Sequence, residues 1–486
     1  MYAKMKQRDI IFLLFDTARA DSFGCLGASR DTTPVLDSLA SDGLVYERAY
    51  SNSIWSLPAY ASVFTGELPS EHGAVDWEQR LNGNPLVEYL GENGYRTGCV
   101  SPHLLSGDFG LSDAFDVHHV VNNFDERLPY PDESVTQTVK SRTQSGKYDS
   151  LLEKATDFTS LAMRQRSYRA FMNGVAYFRT KIRNRRGEWT DDGADEVLTR
   201  SREFLDSGVG PRFLFANFIE PHAPYRPPAE YVHTYLDEDV GVDRLEKALS
   251  KSFVGATAGN VTIGERDREI LRALYDAEVR YLDDRIGEFL QNVEAQSEGP
   301  DPVIVVASDH GDLFGERGIW GHQSEIDRDL AHVPLIVSHP DLPAGRVESP
   351  VSLRQLYTFF TSLAQGDICR INPRDTVITE YFGWDTQLSI EPWDEYENVS
   401  VDKYRQYQVA LFHEDRFVRF DSAGTAEAFD LETHERLEGG VTKGDREFLA
   451  ETVGDPHTIH REFRERESGF EVTDELQNHL ENLGYM

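Results

Sequence analysis

Cysteine is scarce in this chain of 486 residues, which contains only three. Cys25, Cys99 and Cys369 are too few and too widely separated along the sequence for a disulfide framework or a zinc site. So little cysteine is typical of proteins that work in a reducing compartment. We therefore expect a cytoplasmic location for this protein.

Long hydrophobic runs are absent as well. The apolar run at residues 10–15 is too short for the core of a signal peptide or for a membrane span. No later stretch approaches the roughly 20 apolar residues that a spanning helix requires. The sequence therefore predicts no transmembrane segment.

Lysine is rare, since only ten of the 49 basic residues are lysine. Aspartate and glutamate together number 84, which leaves a net charge of −35. Such a surface repels the phosphates of nucleic acids and argues against a nucleic-acid partner. It is typical of proteins that work in high salt, where repulsion between carboxylates is screened. The composition therefore predicts a halophilic source.

One segment, residues 161–187, carries the opposite charge. It contains eight basic residues and no acidic one, and aromatic and aliphatic residues lie between them. This pattern predicts a basic amphipathic helix. The helix either has the ordinary role of a solvated helix with one packed face, or it covers an active site, binds an anionic polymer or contacts a membrane surface.

The order of apolar runs and helical patterns indicates the fold class. Continuous apolar runs at residues 10–15, 212–219 and 302–307 predict buried parallel strands. Helical patterns separate them, the longest at residues 266–293. This alternation predicts an α/β fold with a doubly wound, mostly parallel sheet flanked by helices.

The pattern changes near Asp367. Short alternating strands follow, for example at residues 407–412, and residues 473–483 have a helical pattern. The sequence therefore predicts a main α/β domain at residues 1–367 and a smaller α+β subdomain at residues 368–486.

The stretch around Ser56 has the pattern of a helix start. Ser56 occupies the expected cap, Pro58 lies in the first turn, and apolar residues continue to Gly66. Backbone N–H groups at the start of a helix favour an anion. Ser56 is therefore either a plain N-cap, a common role for serine, or a nucleophile placed beside an anionic ester.

Polar side chains follow the three predicted strands. Asp16 follows the first, His222 comes shortly after the second, and Asp309 with His310 follows the third. Ligands of open α/β sheets bind at this edge. Carboxylates and imidazole are suitable ligands for a divalent cation, and an alkoxide from Ser56 would complete its shell. Because a cation would activate the hydroxyl and neutralise an anionic ester, this constellation predicts a metal-assisted esterase.

Several ordered motifs along nearly the whole chain carry a family resemblance. They are residues 10–21 with 24–27, 53–66, 69–73, 94–97, 221–225, 275–279, 308–312 through 321–322, 428–432 and 483–485. In these motifs the sequence resembles the sulfatase family of the alkaline-phosphatase-like superfamily. Together with the acidic composition, the resemblance indicates a sulfatase of haloarchaeal type with an alkaline-phosphatase-like sheet.

The resemblance implies a role for each matching site residue. Asp16, Asp309 and His310 would bind one divalent ion, with Ca²⁺ expected and Mn²⁺ or Mg²⁺ as alternatives. Ser56 would be the nucleophile on the same ion, and His222 would hold or protonate the oxygens of the ester.

His322 lies where the family often has a lysine that binds the oxyanion of the ester. An imidazolium can donate a hydrogen bond there only while it is protonated. The resemblance therefore implies an activity that falls at alkaline pH.

The sequence departs from the family at two further positions. Thr17 stands where a second acid commonly follows the first aspartate, and Tyr60 stands where the signal for oxidation to formylglycine has arginine. Formylglycine at Ser56 is therefore left open. A formylglycine hydrate expels sulfate by collapsing to the aldehyde, whereas a serine sulfate has no such exit. A phosphoserine is hydrolysed more easily, so an unmodified Ser56 would favour phosphoesters.

These features give three functional hypotheses. The first is a metal-dependent sulfuric ester hydrolase that acts on a sulfated sugar, glycan or glycolipid. The second is a phosphodiesterase, phosphonate monoester hydrolase or phospho-group transferase with a phosphorylated substrate. The third is a non-catalytic protein that binds an anionic glycan.

Five other residues lie near the matching motifs. We expect Asp21 to cap or to pair with Arg19, and His72 to be structural. His103 is either near the ester or structural. Tyr225 and Asp312 are expected to orient His222 and the metal ligands.

Overall fold

The computed structural model describes residues 7–465 apart from 77–80, 82, 103–109, 113, 122–155, most of 157–185, 192, 209, 238–239, 297–298, 323 and 384–400. The strands in the described part are β1 (Ile10–Phe15), β2 (Leu44–Tyr46), β3 (Ala49–Tyr50), β4 (Arg96–Ser101), β5 (Val117–Val120), β6 (Arg212–Phe218), β7 (Val303–Ser308), β8 (Leu313–Phe314), β9 (Trp320–Gly321), β10 (His332–Val333), β11 (Leu335–Ser338), β12 (Gly345–Val347), β13 (Val351–Ser352), β14 (Val377–Tyr381), β15 (Gln408–Phe412), β16 (Arg416–Asp421) and β17 (Ala426–Asp430).

The α-helices alternate with these strands through most of the chain. They are α1 (Pro34–Ser41), α2 (Ser56–Thr65), α3 (Pro69–His72), α4 (Pro85–Glu92), α5 (Ala194–Asp206), α6 (Val242–Leu249), α7 (Phe253–Thr257), α8 (Glu265–Gln296), α9 (Arg328–Ala331), α10 (Gln355–Ala364), α11 (Lys443–Thr452) and α12 (Pro456–Arg464).

The main sheet has eight strands in the order β12-β2-β11-β7-β1-β6-β4-β5. All neighbouring pairs are parallel except those that β11 makes with β7 and with β2. Strand β1 lies in the middle and is fully buried because both faces of the sheet are covered. The predicted α/β fold with a mostly parallel sheet is confirmed.

Two hydrophobic cores lie on opposite faces of this sheet. Along β1, Phe12 and Leu14 point into the core that includes α2, α4 and α10, whereas Ile11 and Leu13 point into the core that includes α1, α5 and α8. Each of these side chains is at most 1% exposed, and burial of such a side chain stabilises the fold by about 2 kcal/mol. Helices on both faces therefore hold the central strands rigidly in place.

The register of the central strands determines which residues meet at one edge. Phe15, the last residue of β1, pairs with Phe218 at the end of β6 and with Ser308 at the end of β7. Asp16 and Asp309 directly follow β1 and β7. They are therefore delivered to the same carboxyl edge of the sheet.

A second sheet lies beyond the main one, and its four strands are antiparallel in the order β14-β15-β16-β17. Asn52 connects this sheet to the main domain. Its side-chain amide donates to the carbonyl of Ile378, and its backbone carbonyl accepts a hydrogen bond from the N–H of Glu380. Ser53 also donates to the Glu380 carbonyl at 3.0 Å. The C-terminal sheet thus supports the loop that leads to Ser56.

The start of α2 differs from the sequence prediction. Ser56 is the first residue of the helix, and the cap position belongs to Trp55, whose side chain makes no capping hydrogen bond. The expectation that Ser56 is the N-cap is therefore wrong by one residue. The hydroxyl of Ser56 contacts the side chain of His310, which lies just after β7.

Two predicted segments lie wholly or mostly outside the described residues: the basic helix at 161–187 and the helix at 473–483. Within the described residues, no helix combines the length and the apolar character that a membrane span requires.

Candidate metal and ester site

Asp16 forms one side of a buried cluster at the end of β1. Its backbone N–H donates to the carbonyl of Phe218, and its side chain is completely buried. Burial raises the pKa of Asp16 well above its ordinary value, and the charges of Asp309 and Asp312 raise it further. A hydrogen bond from Ser56 acts in the opposite direction. Asp16 therefore resists ionisation unless a positive charge lies beside it.

Asp309 and His310 form the opposite side of the cluster, at the end of β7. His310 Nε2 lies 3.5 Å from Asp309 Oδ2 and 3.9 Å from Asp16 Oδ1. Burial lowers the pKa of His310 to about 4, so the ring is neutral near neutral pH. Its Nδ1 lies 2.8 Å from the Gly311 carbonyl, which can only accept a hydrogen bond. The ring proton therefore sits on Nδ1, and Nε2 presents its lone pair to the carboxylates.

Ser56 reaches the same point from the start of α2. Its hydroxyl oxygen lies 3.2 Å from His310 Nε2, and the residue is 1% exposed. The structure thus brings together all four residues for which the sequence predicts metal contact, namely Asp16, Ser56, Asp309 and His310.

A divalent cation fits this arrangement of donors. Asp16, Asp309 and His310 each offer one ligand atom, and the three atoms lie within 4.8 Å of one another. Asp309 Oδ2 is buried and has no hydrogen-bond partner among the described residues. Two buried carboxylates that face the lone pair of a neutral imidazole repel one another unless a positive charge lies between them. The donor set therefore has the chemistry of a metal site.

His222 and His322 lie beside this cluster. The ring centroid of His322 is 5.4 Å from that of His222 and 4.6 Å from that of His310. Burial lowers the pKa of His222 to about 4, with a further contribution from His322. His222 Nδ1 donates to the carbonyl of Ala223 at 2.7 Å, so Nε2 carries the lone pair. Both histidines are therefore placed next to the cluster, as the sequence predicts.

Asp312 contacts His322, and Tyr225 contacts Asp312 in turn. His322 Nδ1 lies 3.2 Å from Asp312 Oδ1, and the hydroxyl of Tyr225 donates to Asp312 Oδ2. Burial would raise the pKa of Asp312, but the hydrogen bonds from His322 and Tyr225 lower it below its ordinary value. The antiparallel pairing of β8 with β9 brings the two residues that flank this hairpin, Asp312 and His322, into contact.

Thr17 and Tyr60, the residues at the two further positions that depart from the family, make hydrogen bonds to neighbouring residues. The hydroxyl of Thr17 donates to the Pro221 carbonyl at 2.6 Å, and its backbone N–H donates to Asp309 Oδ1 at 3.1 Å. The hydroxyl of Tyr60 accepts a hydrogen bond from the side chain of Asn217 at 2.9 Å. Thr17 therefore contributes hydrogen bonds in place of a carboxylate ligand.

The remaining sequence candidates have structural contacts or lie outside the described residues. Asp21 pairs with Arg19 at 2.7 Å, and His72 Nε2 lies 3.1 Å from the hydroxyl of Ser62. His103 lies outside the described residues.

Sequence reasoning missed the extent of the network around Arg19. This guanidinium is buried, and it pairs with Glu316 and Asp329 as well as with Asp21. It also donates to the carbonyl of Asp312 at 3.0 Å. The sequence did contain a signal for this network, because Arg19 lies in a motif that directly follows a buried strand.

A second group of potential ligands consists of Asp327, Asp329 and His434. Arg19 pairs with Asp329 at 3.1 Å, and Arg328 Nη1 lies 2.6 Å from His434 Nε2. An arginine only donates, so the Nε2 lone pair already accepts a hydrogen bond. This group is therefore an ion-pair network and a poor site for a cation.

Comparison with known proteins identifies relatives of this chain. The family model described as "Sulfatase" matches residues 8–366. An arylsulfatase of Clostridium perfringens is 22% identical over 344 residues, which covers 68% of this chain and 68% of that protein. The choline-sulfatase of Rhizobium meliloti is 25% identical over 382 residues and covers 75% and 69%, respectively.

Solved structures show the same fold. A protein in complex with its substrate D-glucosamine-2-N,6-O-disulfate aligns with a TM-score of 0.64 at 14% identity, covering 95% of this chain and 100% of that one. A phosphonate monoester hydrolase from Silicibacter pomeroyi aligns with a TM-score of 0.58 at 17% identity, covering 96% and 98%. At these identities the structures establish the shared fold and leave the substrate to other arguments.

Proposed function

This chain belongs to the sulfatase family, and we propose that it hydrolyses sulfate esters of sugars or glycans at the cluster of Asp16, Ser56, Asp309 and His310. One observation carries the proposal: the hydroxyl of Ser56 lies 3.2 Å from His310 Nε2, the same nitrogen that faces the buried carboxylates of Asp16 and Asp309. This places a nucleophilic oxygen at the point where an anion-neutralising charge fits. The relatives named for sulfate esters and the structure solved with a sulfated glucosamine support this substrate class.

The ion we propose is Ca²⁺, with Mn²⁺ or Mg²⁺ as alternatives, held by Asp16, Asp309 and His310. Two carboxylates, a hydroxyl oxygen and one imidazole form a mainly oxygen donor set, which suits a hard cation. When bound, such an ion lowers the pKa of the attacking hydroxyl and neutralises charge on the ester.

The two neighbouring histidines would complete the reaction. In the free protein His222 is neutral, because burial lowers its pKa to about 4. An anionic ester beside the ring favours the imidazolium, so we propose that His222 gains a proton on substrate binding and donates it to the leaving oxygen. His322, held by Asp312, would donate a hydrogen bond to the ester oxygens.

The chemical form of residue 56 decides whether sulfate can leave. We propose that a separate maturation oxidoreductase converts Ser56 to formylglycine by passing two hydrogens to its own electron acceptor, because a hydrate at this position releases sulfate by collapsing to the aldehyde.

A second candidate function is hydrolysis of a phosphonate or phosphate ester by an unmodified Ser56. Tyr60 favours it, since this residue replaces the arginine of the oxidation signal and contacts Asn217 instead. The structural likeness to a phosphonate monoester hydrolase agrees with this alternative.

Turnover of two substrate classes separates these functions. Purified protein would be assayed with an aryl sulfate and a sulfated glucosamine, and in parallel with an aryl phosphonate and a phosphodiester. We expect hydrolysis of the sulfate esters, with kcat/KM reduced about 10³-fold or more in Ser56→Ala. Ser53→Ala is the matched control. Ser53 lies in the loop that leads to Ser56, but its hydroxyl donates to the carbonyl of Glu380 in β14. Turnover of the phosphorus esters alone would reject the sulfatase proposal in favour of the alternative.

A further inference from the structure

Thr17 has an unusual backbone conformation at the edge of the site. It follows Asp16 directly, it is completely buried, and its φ angle is +56°. A β-branched residue rarely adopts a positive φ, because its side chain crowds the backbone, and the conformation costs on the order of 1–3 kcal/mol. The surrounding structure must therefore hold Thr17 in this conformation.

Three contacts hold Thr17 and join the ends of three strands. Its N–H donates to Asp309 Oδ1 at 3.1 Å, after β7, and its hydroxyl donates to the carbonyl of Pro221 at 2.6 Å, after β6. Its own carbonyl accepts a hydrogen bond from Tyr275 of α8 at 2.9 Å. A residue with a negative φ at the end of β1 would turn these groups in other directions.

The contact with Pro221 has a direct consequence for His222, the next residue. This segment is a buried turn, in which the His222 N–H donates to the carbonyl of Ile219 at 2.8 Å. The hydroxyl of Thr17 therefore holds one end of the turn that carries the imidazole. A buried carbonyl that loses its donor costs about 1–3 kcal/mol, which favours rearrangement of the turn.

We propose that Thr17 is a positioning residue for the hydrolysis, which sets the location of His222 through its hydroxyl and the orientation of the Asp309 carboxylate through its backbone N–H. This inference rests on the proposed function, in which His222 transfers a proton to the leaving oxygen. A displacement of about 1 Å in such a group can reduce the rate about 10²-fold. The strained threonine thus replaces a possible third carboxylate with two hydrogen bonds that fix the geometry of the site.

The test compares three variants at this position. Thr17→Ser keeps the hydroxyl, Thr17→Val keeps the shape without it, and Thr17→Ala lacks it while accepting a positive φ more easily than valine. We expect kcat on an aryl sulfate to fall 10- to 100-fold in Thr17→Val and Thr17→Ala, with KM changed less than about threefold. Thr17→Ser should retain kcat within about threefold of the wild type.

Two further measurements do not depend on turnover. Calorimetric titration with Ca²⁺ should give the same affinity for all three variants, because each keeps the backbone N–H that orients Asp309. Hydrogen exchange followed by mass spectrometry should show faster exchange of residues 219–225 in Thr17→Val and Thr17→Ala, but not in Thr17→Ser.

The outcomes separate this inference from the proposed function. Wild-type kcat in Thr17→Val and Thr17→Ala, or an equal loss in Thr17→Ser, would overturn the positioning role. Failure of Thr17→Ser to fold would also overturn it, since that variant keeps every contact. If the wild type hydrolyses no sulfate ester, the proposed function fails, and unchanged exchange of residues 219–225 in Thr17→Val then rejects the positioning role independently.

Discussion

The hydroxyl oxygen of Ser56 lies 3.2 Å from Nε2 of His310, although 254 residues separate the two in sequence. The other ring nitrogen of His310 donates to the Gly311 carbonyl at 2.8 Å, which fixes the tautomer. The lone pair of Nε2 therefore faces the hydroxyl oxygen of Ser56. A cation bound there would contact the nucleophile and the imidazole at once, and the predictions about activity depend on this pair.

Metal binding should stabilise the folded protein through Asp309. At a free Ca²⁺ concentration of 100 times Kd, the free energy of unfolding should rise by about 2.7 kcal/mol. Asp309→Asn should abolish this increase and should leave the metal-free protein at least as stable, because it removes one of two facing negative charges. Denaturant unfolding with and without Ca²⁺ measures both effects.

The control for this experiment is Asp329→Asn in the second acidic group. Asp329 pairs with Arg19, so its loss should lower stability in the absence of metal. The increase caused by Ca²⁺ should remain as in the wild type. Loss of the Ca²⁺ effect in Asp329→Asn but not in Asp309→Asn would show that the ion binds elsewhere.

The side chain of His322 should contribute to stabilisation of the ester during hydrolysis. His322 is held by Asp312 next to the cluster, where it would donate a hydrogen bond to the ester oxygens. His322→Ala removes this donor and should lower kcat/KM on an aryl sulfate about 10²-fold, whereas His322→Lys supplies another donor and should retain most of the activity. Wild-type kcat/KM in His322→Ala would contradict the role of His322 at the ester.

Acid should destabilise the protein through partly buried histidines that are neutral in the folded state. Burial lowers the pKa values of His72 and His332 to about 4, below the unfolded value near 6.5. Between these pH values the unfolded chain binds more protons, so stability falls as pH decreases from about 6.5 to about 4. Each histidine should contribute about 3 kcal/mol to this loss. His332→Gln should flatten the dependence of unfolding free energy on pH, and an unchanged slope would contradict the assignment.

Salt should stabilise this acidic protein. With a net charge of −35, repulsion between carboxylates opposes the compact state in dilute buffer and is screened at molar salt. The thermal unfolding midpoint should therefore rise steadily from 0.1 to about 3 M KCl. A midpoint that is independent of salt, with full activity in dilute buffer, would contradict a halophilic origin.

The central fold and the cluster of candidate metal ligands could be predicted because their signals are local. Asp16 and Asp309 each directly follow a continuous apolar run, and parallel strands bring such positions to one edge. The antiparallel direction of β11 had no comparable signal, because a short apolar run does not indicate the direction of its strand relative to its neighbours. The division at residues 367 and 368 remains a prediction.

The contacts around the site were less predictable because they depend on tertiary structure. The contact between Asp312 and His322 arises from the short β8–β9 hairpin, whose pairing is not evident from two-residue strands. Thr17 could be identified as a departure from the family, but its positive φ and its contact with Pro221 depend on strand ends more than 200 residues apart. The N-cap assignment of Ser56 failed because helix boundaries are the least certain part of a sequence prediction.

The mass of the peptide that carries residue 56, from protein purified out of its native organism, tests the central claim most directly. Sulfate ester hydrolysis at this cluster predicts that Ser56 has lost two hydrogens and become formylglycine, despite Tyr60 four residues later. An unmodified or phosphorylated Ser56 in active protein would contradict sulfatase turnover and would assign the site to phosphorus esters.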